Sequence, residues 1–442
     1  MSYKRYKEKM RTKNKRNYLK QNGITLIALV VTIVVLLILA GVSLNAIFSE
    51  NGIIKRAQDA QNKMDQAAKN DLNAINGFNQ WTDKQLGKLP NTSDTTPYYP
   101  DDTFTKMDRT NLDNGLVIQD ANENEYVWIE VPKSLYDNEK YNTETTTGDQ
   151  KPANSEDYNK IEYCLHKYTE YYRTNFEDTY YSDDTTGLTE IQYTELKQKM
   201  LKSVYENGGF WIGRYEAGIE TNRTASGDAT ELPLSKAGTV ENPIYPYTYV
   251  TCSQAQTLAS RLSTGKNYSS SLMFGVQWDL VLKHIEEKEV TKGIELANIQ
   301  NELKSDSTAW GNYRDACFLI NRGKYEDIVD FKESTVWTPY NQTTSNNFVN
   351  SSTKQVQSGN NGILLTTGAS DICRKMNIYD LAGNVFEWTL ECNNGGNNGG
   401  WPCTTRGGYY ISSGISSSAA YRVNNYTDFY NTHIGFRISL YK

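Results

Sequence analysis

The sequence predicts an α+β protein: a long apolar helix near the N-terminus, then a large loop-rich domain of short strands with a few helices. Three observations predict it. Residues Ile24 to Leu44 form an uncharged run of 21 residues, and beyond residue 115 the chain breaks into short alternating apolar runs bounded by turns. The composition, with 12% aromatic residues and 32 Tyr, excludes a disordered chain, because disorder follows few aromatics and low hydrophobicity. The 442 residues allow about three units at roughly 150 residues each. An overall net charge of −6 argues against a nucleic-acid partner, whose footprint is basic.

The charge is unevenly placed. Residues 1–22 hold nine Lys/Arg and one acid, so that segment is +8 and leaves −14 on the other 420 residues. The apolar run that follows makes a helix about 31 Å long, enough for a bilayer core of about 30 Å. A cleaved signal peptide has a shorter apolar core, of about 7–15 residues. The basic leader, 1–23, is therefore expected in the cytoplasm, with a single helix through the membrane and the acidic body exported. Gly23 followed by Ile24-Thr25-Leu26-Ile27 and an uninterrupted apolar helix resembles the N-terminus of type IV pilins and pseudopilins. The resemblance implies a bacterial cell-surface protein, prepilin-peptidase cleavage between Gly23 and Ile24, and other pilins as partners. Ala28 stands where that family has Glu fifth after the cut, which weighs against pilus assembly and keeps a plain membrane anchor as the alternative. Ile53, Ala57, Ala60, Met64, Ala67 and Ile75 extend the helical stripe, so 24–80 is assigned to the helix, as pilin-like segment or spacer stalk. Residues 81–115, rich in Pro, Asn, Thr and Asp, are expected to be a linker.

The domain at 116–442 opens with strands at 116–118 and 126–131, the latter closed by Pro132. A polar, Tyr-rich stretch at about 134–192 is expected to be an insertion. Residues 189–206, 253–262 and 277–287 have helical spacing, with Ser253 as the N-cap of the second, and Phe210 to Gly218 forms an aromatic strand. His166, His284 and His433 lack metal-ligand spacing or an obvious partner, the paired acids Asp101-Asp102 and Asp183-Asp184 are most simply solvated, and no Walker, dinucleotide or G-x-S-x-G motif occurs. Six cysteines form no CxxC pair, which argues against zinc. Cys392 and Cys403 flank a Gly/Asn-rich loop, where either a disulfide clamp or free buried thiols would serve.

Gly208 to Gly218, Val276-Gln277-Trp278-Asp279, Ile378 to Trp388 (IYDLAGNVFEW), Arg406-Gly407-Gly408, Tyr421-Arg422 and Gly435-Phe436-Arg437 occur in an order that resembles the formylglycine-generating enzyme (sulfatase-modifying factor) family. The resemblance covers about 116–442 and implies a C-type-lectin-type fold. Family enzymes need two cysteines after RGG, which bind copper. Here Ser412 occupies the first position, Ser417 lies near the second, and no Cys follows Cys403. A hydroxyl does not replace a thiolate as soft-metal ligand or nucleophile, so no copper and no oxidase chemistry are expected; an atypical sulfatase-modifying oxidase is the enzymatic alternative. The resemblance also implies structural Ca²⁺ at Asp380 and Glu387 by side chain and Gly383 and Val385 by carbonyl, oxygen ligands of the kind calcium takes; alternatively these residues only hydrogen-bond a loop.

Of the 42 residues at 393–434, 24 are Asn, Ser, Tyr or Gly, a composition that favours contact surfaces made of rigid phenols and adaptable amides. The family fold would place Tyr409, Tyr410, Ser412, Ser413, Tyr421, Asn424, Asn425, Tyr426, Asp428, Tyr430 and Asn431 on one ligand-binding face. The arrangement resembles the variable proteins of diversity-generating retroelements, which implies a diversified face. The expected function is a non-catalytic, surface-displayed binding protein with a protein or glycan ligand; a minor pilin capping a filament or secretion machine is the structural alternative.

Overall fold

The computed structural model describes residues 29–37, 60, 61, 63, 64, 66, 67, 89–144, 148–174, 176–330, 332–341, 348–349, 361–393 and 401–442. The chain divides into two units, Met1–Gln85 and Leu86–Lys442. In the first, 29–37 is helical with its apolar side chains exposed. The remainder of the expected 24–44 span, the Gly23-Ile24 junction and most of the stripe to residue 80 lie outside the described residues. Among the described residues, no helix is long and apolar enough to cross a membrane.

The second unit is built, in chain order, from β1 (Thr105–Lys106), β2 (Val117–Gln119), β3 (Glu125–Glu130), α1 (Tyr158–Tyr168), α2 (Glu190–Asn207), β4 (Gly209–Gly213), α3 (Cys252–Arg261), β5 (Ser269–Leu272), α4 (Gly275–Thr291) and α5 (Leu296–Lys304). There follow β6 (Lys324–Val329), β7 (Lys332–Pro339), β8 (Gly362–Leu365), β9 (Phe386–Cys392), β10 (Cys403–Arg406), β11 (Arg422–Asn425), β12 (Ile434–Phe436) and β13 (Ile438–Tyr441). The mixture is α+β, as expected. A six-stranded sheet has the order β1-β2-β3-β4-β13-β5, a four-stranded sheet the order β11-β10-β9-β12, and β6 is flanked by β7 and β8.

The core lies around the six-stranded sheet. Trp128 of β3 stands opposite Trp211 of β4, and Trp211 opposite Leu440 of β13, so three buried residues stack across adjacent strands. Such cross-strand pairs are the unit of sheet stabilisation. The helices follow the sequence pattern with small shifts. The second begins at Cys252, with Thr251 and not Ser253 as its cap: Thr251 and Gln254 exchange side-chain and backbone hydrogen bonds in a capping box. Helix α4 is longer than 277–287 because most of its faces are buried and packing overrides its weak periodicity.

Two segments expected to be peripheral are integrated. From Leu89 onward the proposed linker belongs to the domain: Leu89 and Phe104 are core residues, and Thr95 is wholly buried. The Thr95 hydroxyl donates to the Gly208 carbonyl at 2.8 Å and accepts the Trp128 indole N–H at 2.8 Å. Polar composition suggested solvent, but these side chains satisfy buried partners instead. Likewise the insertion buries Ile161, Leu165 and Tyr172, and the Tyr172 hydroxyl donates to Glu286 at 2.7 Å.

Arg437 joins the sheets. It lies between β12 and β13, completely buried, where the chain passes from the four-stranded to the six-stranded sheet. Its Nε and Nη2 donate to Glu387 of β9 at 2.5–3.1 Å, Nη1 to the Gly213 carbonyl of β4 at 3.1 Å, and Nη2 to the Tyr379 carbonyl at 2.9 Å. Removing one partner of a buried pair strands the other charge and costs about 3–5 kcal/mol. Arg437→Met is therefore expected to lower stability by about that amount in denaturant unfolding. Adding Glu387→Gln should recover part of the loss; an Arg437→Met variant as stable as the parent would refute this role.

Candidate binding face

The C-terminal surface is assembled on β9, β10 and β11. Register places Glu387 opposite Arg406 and Arg406 opposite Arg422. Arg422 turns inward: its guanidinium meets both Asp279 oxygens at 2.7 Å and both Glu391 oxygens at 3.0 Å. Arg406 meets the same acids at 2.9 and 3.3 Å and lies over the Trp278 ring, 5.3 Å from its centroid. Burial alone would discharge these groups. It does lower Arg406 and raise the Glu391 carboxyl, but Asp279 and Glu391 hold Arg422 above its ordinary value. The edge strand is thus anchored by a side chain as well as by its ladder.

Beyond Arg406, Gly407 and Gly408 adopt φ of +91° and +80°, and a Cβ on Gly408 would come within 2.3 Å of the Ser417 carbonyl. Only glycine suits this turn. It brings Tyr409 onto Phe386, with ring centroids 5.0 Å apart. Tyr409 also stacks on His433 at 4.4 Å, and Phe386 on Tyr421 at 6.2 Å, giving a continuous aromatic row. Burial lowers His433 to about 4, so at neutral pH it packs as an uncharged ring.

The expected contact residues separate into three groups. Tyr421 (37% exposed), Tyr426 (49%), Tyr430 (43%) and Asp428 are open to solvent. Tyr409, Asn424, Asn425 and Asn431 are half-buried; Asn425 donates to the Thr405 hydroxyl at 3.1 Å. Ser412 and Ser413 hold the turn: the Ser412 hydroxyl donates to the Tyr409 carbonyl at 2.7 Å and accepts its N–H at 2.9 Å, while Ser413 donates to Asp315. Tyr410 does not belong to the face. It is 1% exposed and packs with Ile328, Leu364, Val385 and Ile411. Sequence reasoning missed Trp401, 45% exposed and edge-on to Tyr426 at 5.1 Å, and Ile415, 67% exposed. A Trp straight after a Gly/Asn-rich run was the available signal for the first.

Beneath the face lies the IYDLAGNVFEW segment. Asn384, buried with φ +56°, donates to Glu216 Oε2 at 2.7 Å and accepts from Asn312 Nδ2 at 2.9 Å and Leu365 N–H at 3.0 Å. Glu216 Oε1 accepts the Val385 N–H at 3.1 Å. Gly383 packs so closely that a Cβ would lie 2.1 Å from the Asn312 carbonyl oxygen. The motifs at 378–388 and 435–437 therefore converge on one buried centre, and the Gly383 N–H ties 406–408 to it through the Gly407 carbonyl at 2.8 Å. Residues 299–440 match the sulfatase-modifying factor enzyme 1-like domain family.

The match to that domain opens within α5 and closes within β13. None of the curated proteins is a match. Two solved structures are similar at low identity. CarF is 15% identical, with 53% of this chain and 87% of CarF covered and a TM-score of 0.30. The Treponema denticola variable protein 1 is 13% identical, with 53% and 85% covered and a TM-score of 0.28.

The two carboxylates that the domain resemblance implies for calcium are engaged elsewhere. Both Glu387 oxygens face the Arg437 guanidinium, so a cation already neutralises that carboxylate. The Asp380 side chain accepts the Gly368 N–H at 2.8 Å through Oδ2, leaving only the buried Oδ1 without a hydrogen bond. Cys164, Cys252, Cys373, Cys392 and Cys403 are buried free thiols. Cys392 stands opposite Cys403, and the Cys403 thiol points to the Thr185 carbonyl, 3.7 Å away, so of the two alternatives the structure has free buried thiols.

Three carboxyls and one guanidinium make the centre unusual. Burial pushes Asp380 up to about 7, and burial with the Asp380 and Glu387 charges pushes Glu216 well above the usual range. A carboxyl raised on folding stabilises the native state below its unfolded value, near pH 4, and that contribution fades as pH climbs to about 7. Asp380→Asn keeps an acceptor for Gly368 and removes the charge. It is expected to raise the unfolding free energy at pH 8, where the parent carboxyl is charged in the buried site. The gain should be smaller at pH 5. A variant less stable than the parent at pH 8 would contradict this account.

Proposed function

We propose that this chain is a non-catalytic binding protein whose C-terminal face captures a protein or glycan, displayed outside the cell from its apolar N-terminal segment. The observation that carries the reading is the open Trp401–Tyr426 pair, with Tyr421 and Tyr430 also exposed, beside a strand that the buried Arg406, Arg422, Asp279 and Glu391 cluster holds from below. Rigid aromatics supply contact area at low entropic cost, and the half-buried Asn424, Asn425 and Asn431 supply adaptable hydrogen bonds around them. The absence of catalysis is supported by Ser412, at the first of the family's cysteine positions, whose hydroxyl is occupied with the Tyr409 backbone. Display is supported by the +8 leader ahead of the uncharged apolar run.

The capture reading is tested with the purified full-length chain on glycan and extracellular-protein arrays. Hits are expected to weaken at least about tenfold in a Trp401→Ala/Tyr426→Ala variant, each such hot spot being worth about 2 kcal/mol or more, with the melting curve unchanged. Hits that keep parental affinity in that variant would sink the face. For display, protease added to intact cells should release the 86–442 unit; a unit protected until lysis would reverse the topology.

A further inference from the structure

The insertion carries a cluster that none of the binding-face residues join. Glu162 and His166 lie one turn apart on α1, a spacing that sets both side chains on one helix face. Asp178 comes to them from the loop that follows. One ligand atom from each of the three lies within 4.8 Å of the others. Glu162 Oε1 and His166 Nε2 are 3.5 Å apart, and Nε2 is buried without a hydrogen bond.

The rest of each donor is already held. Lys197 Nζ lies 2.8 Å from Glu162 Oε2 and donates to the Asp178 backbone carbonyl at 2.7 Å, so Oε1 stays free for the cluster. The two Asp178 carboxylate oxygens accept the Gly275 and Val276 N–H groups at 2.6 and 2.9 Å. Each oxygen has a second lone pair, so the carboxylate is oriented but not exhausted. Outer partners of this kind are what fix metal ligands in place. Donors about 2.0–2.1 Å from a tetrahedral zinc ion lie about 3.3 Å apart, close to the observed Oε1–Nε2 separation. A cleft of about 430 Å³, which the exposed Glu177 also lines, opens over the cluster and leaves room for water at a fourth position.

We propose that Glu162, His166 and Asp178 bind one divalent first-row transition ion, with Zn²⁺ the type case. One nitrogen and carboxylate oxygens suit such an ion better than Ca²⁺ or Mg²⁺, which favour oxygen alone. The bound ion would tie α1 to the start of α4 and fix the insertion on the domain.

The test uses the full-length chain stripped with a chelator, with Co²⁺ and Zn²⁺ as probes. One equivalent of Co²⁺ is expected to bind and to give visible ligand-field bands, displaced by one equivalent of Zn²⁺. Glu162→Gln should weaken Zn²⁺ binding at least about tenfold and His166→Ala about 100-fold or more, since even outer-shell losses cost 10–100-fold. Metal-free melting of Glu162→Gln, an isosteric change, reports folding separately. Absence of stoichiometric binding to the parent, or equal affinity in parent and folded Glu162→Gln, would overturn the site.

Discussion

The domain depends on the Glu387–Arg437 pair. A guanidinium has five donors in a rigid plane, and here they serve a carboxylate on β9, a carbonyl on β4 and the carbonyl of Tyr379 at once. A lysine in that position would be a point charge and could not span these partners. Removing two ions from water costs several kcal/mol each, so the pair is a poor source of net stability. What it supplies is geometry: two sheets and the IYDLAGNVFEW segment have one arrangement in which this guanidinium is satisfied. The neighbouring Glu216 and Asp380 remain compatible with one cation only because burial favours their protonated forms.

A second charge cluster does for the face what the first does for the core. Asp279 and Glu391 balance Arg406 and Arg422 in a dry site, and Arg422 belongs to the edge strand. Edge strands have only one ladder to hold them, yet β11 must carry half-buried Asn424 and Asn425 in fixed positions. The bidentate contacts below the strand give it that rigidity. Side chains that project outward, such as Tyr421 and Tyr426, bear none of this load, so the surface can change chemically while its platform does not.

The legible parts of the fold were those with strong local chemistry. The AGNV and RGG motifs stood out in the sequence, and their Gly383 and Gly408 occupy positive-φ turns. The strand at 126–131 and the helix at 189–206 were visible from alternation and helical spacing. Tyr410 was misplaced because composition cannot distinguish adjacent tyrosines, whereas the turn directs Tyr409 to the surface and Tyr410 into a small apolar cluster. Thr95 was read as linker because its buried partners, Gly208 and Trp128, are remote in sequence. For the same reason His166 showed no partner until α1 and the loop at 178 were brought together: Glu162 was four residues away, but Asp178 had no local signature.

The insertion is connected to the face through one helix. Helix α4 begins after Phe274, which has no side chain to cap it, and its first N–H groups would otherwise be buried without acceptors. Asp178 supplies both oxygens from 97 residues away and places a negative charge where the helix dipole favours it. One turn further along, the same helix presents Asp279, the acid that Arg406 and Arg422 share. Close packing leaves no slack at that junction, since a Cβ on Gly275 would lie 2.5 Å from the Glu391 carboxyl. The loop at 178 thus sets the start of α4, α4 sets Asp279, and Asp279 sets the edge strand. The polar stretch expected to be an insertion is therefore part of the support on which the aromatic face is built.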